Sequence, residues 1–160
     1  MEMTALFNMQ RELDAFIEGS KEITYDVFEE KSLALLIELS ELANETRCFK
    51  YWSTKGASPQ PVLLEEFVDS IHFMLSLGIM KGFTCDQWQG KKEKVKLTTL
   101  FIDTQRVILQ FIAEPTQAHY EKIWQNYYSL AYNLDFDAAA ITDAYIQKNQ
   151  KNYERQRTGY

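Results

Sequence analysis

Leu36-Ile-Glu-Leu-Ser-Glu-Leu-Ala-Asn-Glu45 (LIELSELANE) lays two opposing patterns on one short stretch. At about 100° per residue, Leu33, Leu35, Leu36 and Leu39 share one broad side of a helix, while Glu38, Glu41 and Glu45 fall within about 60° of one another beside it. No lysine or arginine stands among these three acids. Carboxylates three and four residues apart on a helix repel by roughly 0.2–0.5 kcal/mol per pair. Something outside the stretch must offset that repulsion.

Helical spacing continues in both directions. It predicts a first helix over about Thr4–Ile17, ended by Gly19-Ser20, and a second over about Tyr25–Phe49 that carries the opening stretch. In the loop WSTKGASPQP, Gly56, Pro59 and Pro61 read as excluded from a helix. A third helix is expected from Val62 to about Met80, stopping near Gly82. Thr84-Cys-Asp-Gln87 has the form of a helix N-cap with its glutamine three residues on. The spacing then runs through Leu97, Leu100, Phe101, Val107, Ile108, Phe111 and Ile112 to Pro115. A further helix is expected over Thr116–Leu134, and Asp135 or Asp137 caps a last one that includes Ala138–Gln156. No alternating stretch is long enough for a sheet. The expected fold is an all-α bundle of five to six helices, one domain over residues 1–160.

With 46% hydrophobic and 25% charged residues, the chain has ordinary globular composition, not that of a disordered segment. A net charge of −6 argues against a general nucleic-acid binder, yet permits a nucleotide ligand where a metal reverses the local sign. Cys48 and Cys85 have neither metal-ligand spacing nor a disulfide framework, and read as reduced thiols. No stretch has the length of a membrane span. MEMTALFNMQRELD lacks a basic region followed by an apolar core, so no signal peptide is expected and the compartment predicted is the cytoplasm.

The third helix repeats the pattern of the second. Glu65, Glu66 and Asp69 adjoin an apolar side made by Leu63, Leu64, Phe67, Val68, Ile71 and Leu75. Two readings stand. The stripes are solvated faces of amphipathic helices, or they face each other across an ion. Surface stripes usually mix signs, whereas these are nearly pure acid, and consecutive helices with a short connection tend to pack antiparallel. In the second reading Glu38, Glu41, Glu66 and Asp69 converge. Oxygen ligands alone suit a hard cation such as Mg²⁺ or Mn²⁺. Magnesium commonly shares its coordination with substrate phosphates, which points to phosphate-ester or anhydride hydrolysis by a metal-activated water. A di-iron bundle would need Glu-x-x-His on two helices. Asp69-Ser-Ile-His72 imitates one such element, but His119 has no acid three residues before it.

Glu38-x-x-Glu41 followed by Glu66-x-x-Asp69 resembles the paired acidic signature of the all-α nucleoside triphosphate pyrophosphohydrolases, the MazG-like superfamily. Within it, ELANETRCFKYWS and LLEEFVDSIHFMLSLG resemble the dimeric deoxyuridine triphosphatases (dUTPases). AYIQKNQKNYERQRTGY resembles the last motif of that branch, and the likeness runs from MQRELD to the end of the chain.

The resemblance implies hydrolysis of dUTP, and of dUDP, to dUMP. It implies two or more Mg²⁺ ions, for which Mn²⁺ can substitute, held by Glu38, Glu41, Glu66 and Asp69. Glu41, with Glu38 beside it, would orient or deprotonate a water attacking the β-phosphorus, and Glu45 would stand behind these ligands or touch a metal itself. Lys148, Asn152 and Arg155, at i, i+4 and i+7, would meet the phosphates, although a basic helix end also suits the helix dipole. Phe73 would pack on the deoxyribose and exclude a 2′-hydroxyl, with His72 near the base. Trp52 would wall the uracil pocket, and Gln10 would read the uracil edge. Near Leu13 and Asp14 family members often carry Asn, a departure that bears on base reading. The resemblance also implies a homodimer that completes its site between subunits; from the charge and the lack of a long apolar stretch, no nucleic-acid or membrane partner is expected. Two alternatives remain: a related pyrophosphohydrolase for another nucleotide such as dCTP, and a non-catalytic helical interaction protein.

Overall fold

A computed structural model of the chain describes residues 1–159. It contains six helices: α1 (Met3–Ser20), α2 (Phe28–Thr46), α3 (Gln60–Lys81), α4 (Leu97–Ala113), α5 (Gln117–Asn133) and α6 (Ala138–Arg157). Among the described residues there is no strand, so the all-α bundle expected from the spacing is what forms. Tyr160, the end of the C-terminal motif, lies outside the described residues.

α3 is the centre of the bundle. α1, α2 and α6 pack against it, α2 also rests on α4, and α4 pairs with α5. The reason is its breadth of apolar surface: Phe67, Ile71, Met74, Leu75 and Leu77 are completely buried, as are Leu35, Leu39 and Leu42 on the facing side of α2. Each such side chain contributes about 1.5–3 kcal/mol on leaving water. Phe67 closes the contact with α5 and with the turn that follows it, its ring 5.5 Å from that of Tyr127 and 5.3 Å from that of Phe136. No described helix is long and apolar enough to cross a membrane.

Local chemistry sets the helix ends. Asp26 Oδ1 accepts from the Phe28 N–H at 2.9 Å, which delays the start of α2 from Tyr25 to Phe28. Arg47, at φ 57°, ends that helix before Phe49. Pro61 is a correction to the sequence reading. It sits in the first turn of α3, where its missing N–H would have had no helical partner. Gly82, at φ 72°, closes α3. The Thr116 and Asp137 side chains accept from His119 N and Ala140 N and start α5 and α6.

Thr84-Cys-Asp-Gln87 caps no helix, a second correction. Residues 84–96 instead form a non-helical strap along α5. The side chains of α5 supply the hydrogen bonds that helix formation would have supplied. Gln117 Oε1 accepts from Thr84 N–H while its Nε2 donates to Thr84 O, Asn133 Nδ2 donates to Glu93 O, and Asn133 Oδ1 accepts from Val95 N–H. Trp88 anchors the middle through its indole N–H to Trp124 O at 3.1 Å.

Candidate active site

The α2–α3 pairing turns the two acidic stripes toward each other. Carboxylate oxygens of Glu38, Glu66 and Asp69 lie within 4.8 Å of one another, each residue partly buried. Glu41 is not in that group: its side chain is exposed at the edge, near enough to act electrostatically on Glu38 and Glu66. Glu45 is further along α2, where its carboxylate accepts from Ser58 Oγ and ties the 47–59 loop back to the helix.

α6 brings the compensating charge. Lys148 Nζ lies 2.6 Å from Asp69 Oδ2 and 3.1 Å from Glu65 Oε1, and Lys151 also reaches Glu65. The compensation is incomplete. Burial first, and then the charges of Asp69, Glu41 and Glu66, push the Glu38 carboxyl up to about 7. Burial likewise raises Glu66, with Asp69 and Glu41 adding to it, and raises Asp69 despite the hydrogen bond from Lys148. For Lys148 burial opposes the charge, but Asp69 and Glu65 outweigh it and hold its pKa above the usual lysine value. Three carboxylates with one ammonium is an acid-rich set of hard oxygen donors, and it fits a divalent cation on chemical grounds.

Beside the acids opens a cavity of about 410 Å³, with Glu38, Asp69 and Lys148 in its wall. Asn152 and Arg155 continue the α6 side, one and two turns beyond Lys148, and Phe73 and His72 continue the α3 side. Gln10 from α1 lines the far end. Of the residues singled out in the sequence, these eight share one cavity. Trp52 does not join them: the residue is 65% exposed on the loop, its ring edge-on to Tyr51 at 5.2 Å and Phe49 at 6.2 Å.

The cavity floor is a hydrogen-bonded network. Gln10 Nε2 donates to Asp14 Oδ1 at 2.8 Å, and its Oε1 accepts from Tyr145 Oη at 2.8 Å. The same Oε1 lies 2.7 Å from His72 Nδ1. Ser76 Oγ donates to Asp14 Oδ2 at 2.6 Å, and Lys31 Nζ stands 3.7 Å from that oxygen. His72 stacks on Tyr145 with ring centroids 4.2 Å apart. Burial, aided by Lys148, lowers the His72 pKa to about 3, so the imidazole is neutral throughout the physiological range.

Ser76, Lys31 and Tyr145 were not picked out from the sequence. Two of them carried a signal. Ser76 follows Asp69 and His72 at i+7 and i+4 on α3, and Tyr145 precedes Lys148 by three on α6, so each shares a helix face with a residue already chosen. Lys31 had none, since only the tertiary fold lays the start of α2 against α1.

No curated protein matches the chain. A family model described as dUTPase matches residues 2–160. That match covers all but the first residue, and with it the helical bundle and every residue of the cavity. The chain belongs to the all-α, MazG-like dUTPase family, and its activity is that of a dUTP diphosphatase.

Proposed function

We propose that the cavity is where dUTP is cleaved to dUMP and pyrophosphate, with dUDP a second substrate, and that the reaction requires Mg²⁺ held at the acidic group. One observation supports this most: Glu38, Glu66 and Asp69 stand in one group at a cavity whose other walls carry amide, imidazole, aromatic and cationic side chains. Glu38, Glu66 and Asp69 are the proposed cation ligands, with room for two or more ions as Glu41 is drawn in; Mn²⁺ suits the same oxygens. Bound there, the cation supplies charge neutralisation for the phosphates and an acidified water.

The protein groups then divide the remaining work. Glu41, the exposed acid at the edge, orients the attacking water and takes its proton, with Glu38 beside it, for attack at the β-phosphorus; the bond from that phosphorus to the α,β-bridging oxygen breaks, and the oxygen leaves with dUMP. Lys148 leaves Asp69 for a phosphate oxygen, and Asn152 and Arg155 bind further oxygens along the same helix face. Phe73 packs on the sugar and excludes a ribose 2′-hydroxyl, while Gln10 and His72 face the base. Glu45 supports the acids from behind by holding the loop. Trp52, on that loop, is the proposed base contact that this cavity does not itself include.

We further propose a homodimer. Leu33 and Ile37 on α2 and Ile102 and Leu109 on α4 are exposed apolar side chains on two helices that pack together. The free thiols Cys48 and Cys85 suit the cytoplasm.

Pyrophosphate release from dUTP, UTP, dTTP and dCTP, each with Mg²⁺ and with EDTA, tests the reading. EDTA-sensitive cleavage of dUTP, with the other three nearly inert, is expected. Equal cleavage of UTP would remove the role given to Phe73, and EDTA-insensitive cleavage would remove the cation.

A further inference from the structure

The floor of the cavity holds a buried polar atom with no partner. His72 is 6% exposed, its Nδ1 faces Gln10 Oε1 at 2.7 Å, and its enclosed Nε2 has no hydrogen-bond partner among the described residues. Which ring nitrogen carries the proton depends on which way the Gln10 amide is turned. Asp14 decides that. Burial raises the Asp14 pKa, against the hydrogen bond from Ser76, the charge of Lys31 and the hydrogen bond from Gln10, which all favour the ionised form. Lys31 stands 3.7 Å away, with its own hydrogen bond to Glu18. As a carboxylate Asp14 only accepts. Facing Asp14 Oδ1, Gln10 must present its NH₂, and so it turns its carbonyl oxygen toward His72 and Tyr145. A carbonyl oxygen needs donors. Tyr145 gives its hydroxyl proton, and the neutral His72 gives Nδ1–H.

We propose that Asp14 is a positioning residue for substrate specificity: through Gln10 it fixes His72 as the Nδ1–H tautomer, leaving Nε2, which this structure encloses, as the bare acceptor that a ring N–H of the entering base reaches. The inference rests on the reading that this cavity takes the base. Uracil carries such a donor at N3. Cytosine carries a lone pair there, which would stand against the lone pair of Nε2 and leave both unpaired. The device is therefore an exclusion of cytosine by tautomer, made two hydrogen bonds away from the ligand.

Asp14→Asn is the informative variant. Ser76 and Lys31 draw the new carbonyl oxygen to their side, so the new NH₂ faces Gln10. Gln10 then turns over, its NH₂ faces His72 Nδ1, and the imidazole proton moves to Nε2. The experiment is ¹⁵N NMR of histidine-labelled protein near neutral pH, in which bare and protonated ring nitrogens are well separated, with His119→Gln assigning the two histidines. It is paired with kcat/KM for dUTP and dCTP. The expected result is Nδ1–H at His72 in the native protein, Nε2–H in Asp14→Asn, and a fall of about tenfold or more in the dUTP-to-dCTP preference. Nε2–H in the native protein overturns the proposal without any variant. An unchanged tautomer in a folded Asp14→Asn removes the role of Asp14. A switched tautomer with unchanged preference overturns the placement of the base here, while hydrolysis of dUTP itself stands apart from either result.

Discussion

Lys148 Nζ sits 2.6 Å from Asp69 Oδ2, and this ammonium on α6 partly neutralises the acids that α2 and α3 bring together. Of the glutamates in the opening stretch, Glu38 feels this ammonium from about a hundred residues further along the chain, and only as the smallest of the influences on it. A cation at the acids and a phosphate at Lys148 are then complementary events, since each supplies what the ion pair gives up.

Lys148→Met separates these roles. Loss of a charged hydrogen bond to phosphate costs about 1.5–3 kcal/mol, so kcat/KM for dUTP should fall by about 10- to 150-fold. Mg²⁺ binding measured by calorimetry without nucleotide should tighten, because the competing ammonium is gone. Weaker Mg²⁺ binding in this variant would contradict the competition.

Glu41→Gln should leave the fold and the cation site in place while lowering kcat by about 10²–10⁴, the usual contribution of a positioned general base. The support is that Glu38, Glu66 and Asp69 form the compact group without it. Melting temperature, Mn²⁺ binding and kcat measured on one preparation check this. If all Mn²⁺ binding disappears along with turnover, Glu38, Glu66 and Asp69 do not hold an ion without Glu41, and the loss of turnover no longer marks it as the proton acceptor.

The raised Glu38 pKa makes the cation-free protein sensitive to alkali. Its value of about 7 in the fold lies above the ordinary 4.5, so the folded state binds the proton more tightly than the unfolded chain. Stability from this group is fully present below pH 4.5 and lost as pH rises through about 7. His72 works the other way. Its folded value of about 3 lies below the ordinary 6.5, so its contribution is lost as pH falls from 6.5 toward 3. The two oppose each other between these ordinary values, and comparison with Glu38→Gln at each pH separates them. In EDTA at pH 8 the variant should melt about 2–4 °C above the native protein, the shift produced by ~1 kcal/mol in a domain of this size. Partial exposure of Glu38 keeps the effect that small. In excess Mg²⁺ the order should reverse. A variant that melts lower in both buffers would mean that Glu38 is not under charge strain.

The strap offers a test of packing apart from the site. A Cβ on Gly90 would stand 2.7 Å from Gln125 O and 2.8 Å from Tyr128 Cβ, with backbone and a helix-borne side chain to displace. Gly90→Ala should cost about 1–3 kcal/mol and open residues 84–96 to proteolysis. Unchanged stability and protease resistance would show that the strap does not lie so close to α5.

The long, periodic elements were legible in the sequence because one buried face with 3.6-residue spacing determines a helix whatever its neighbours are. The strap was not, since Thr84-Cys-Asp-Gln87 carries valid capping chemistry and only the side chains of Gln117 and Asn133 on α5 provide the alternative. For the site, the convergence of Glu38, Glu66 and Asp69 could be read from two stripes on consecutive helices. The separation of Glu41 from that group could not, because about 60° of rotation on one helix decides between facing a partner and facing solvent. The link from Lys31 to Asp14 joins α2 to α1 with no periodic signature at all.

The central claim is that the group Glu38, Glu66 and Asp69 binds the cation on which dUTP cleavage depends. Its most direct test is Mn²⁺ binding by electron paramagnetic resonance together with pyrophosphate release from dUTP, in the native protein and in Glu66→Gln. The native protein should bind Mn²⁺ and release pyrophosphate only when a divalent cation is present. Glu66→Gln, folded by its melting curve, should lose both together. Native-like turnover in Glu66→Gln, or turnover by the native protein in EDTA, would contradict it.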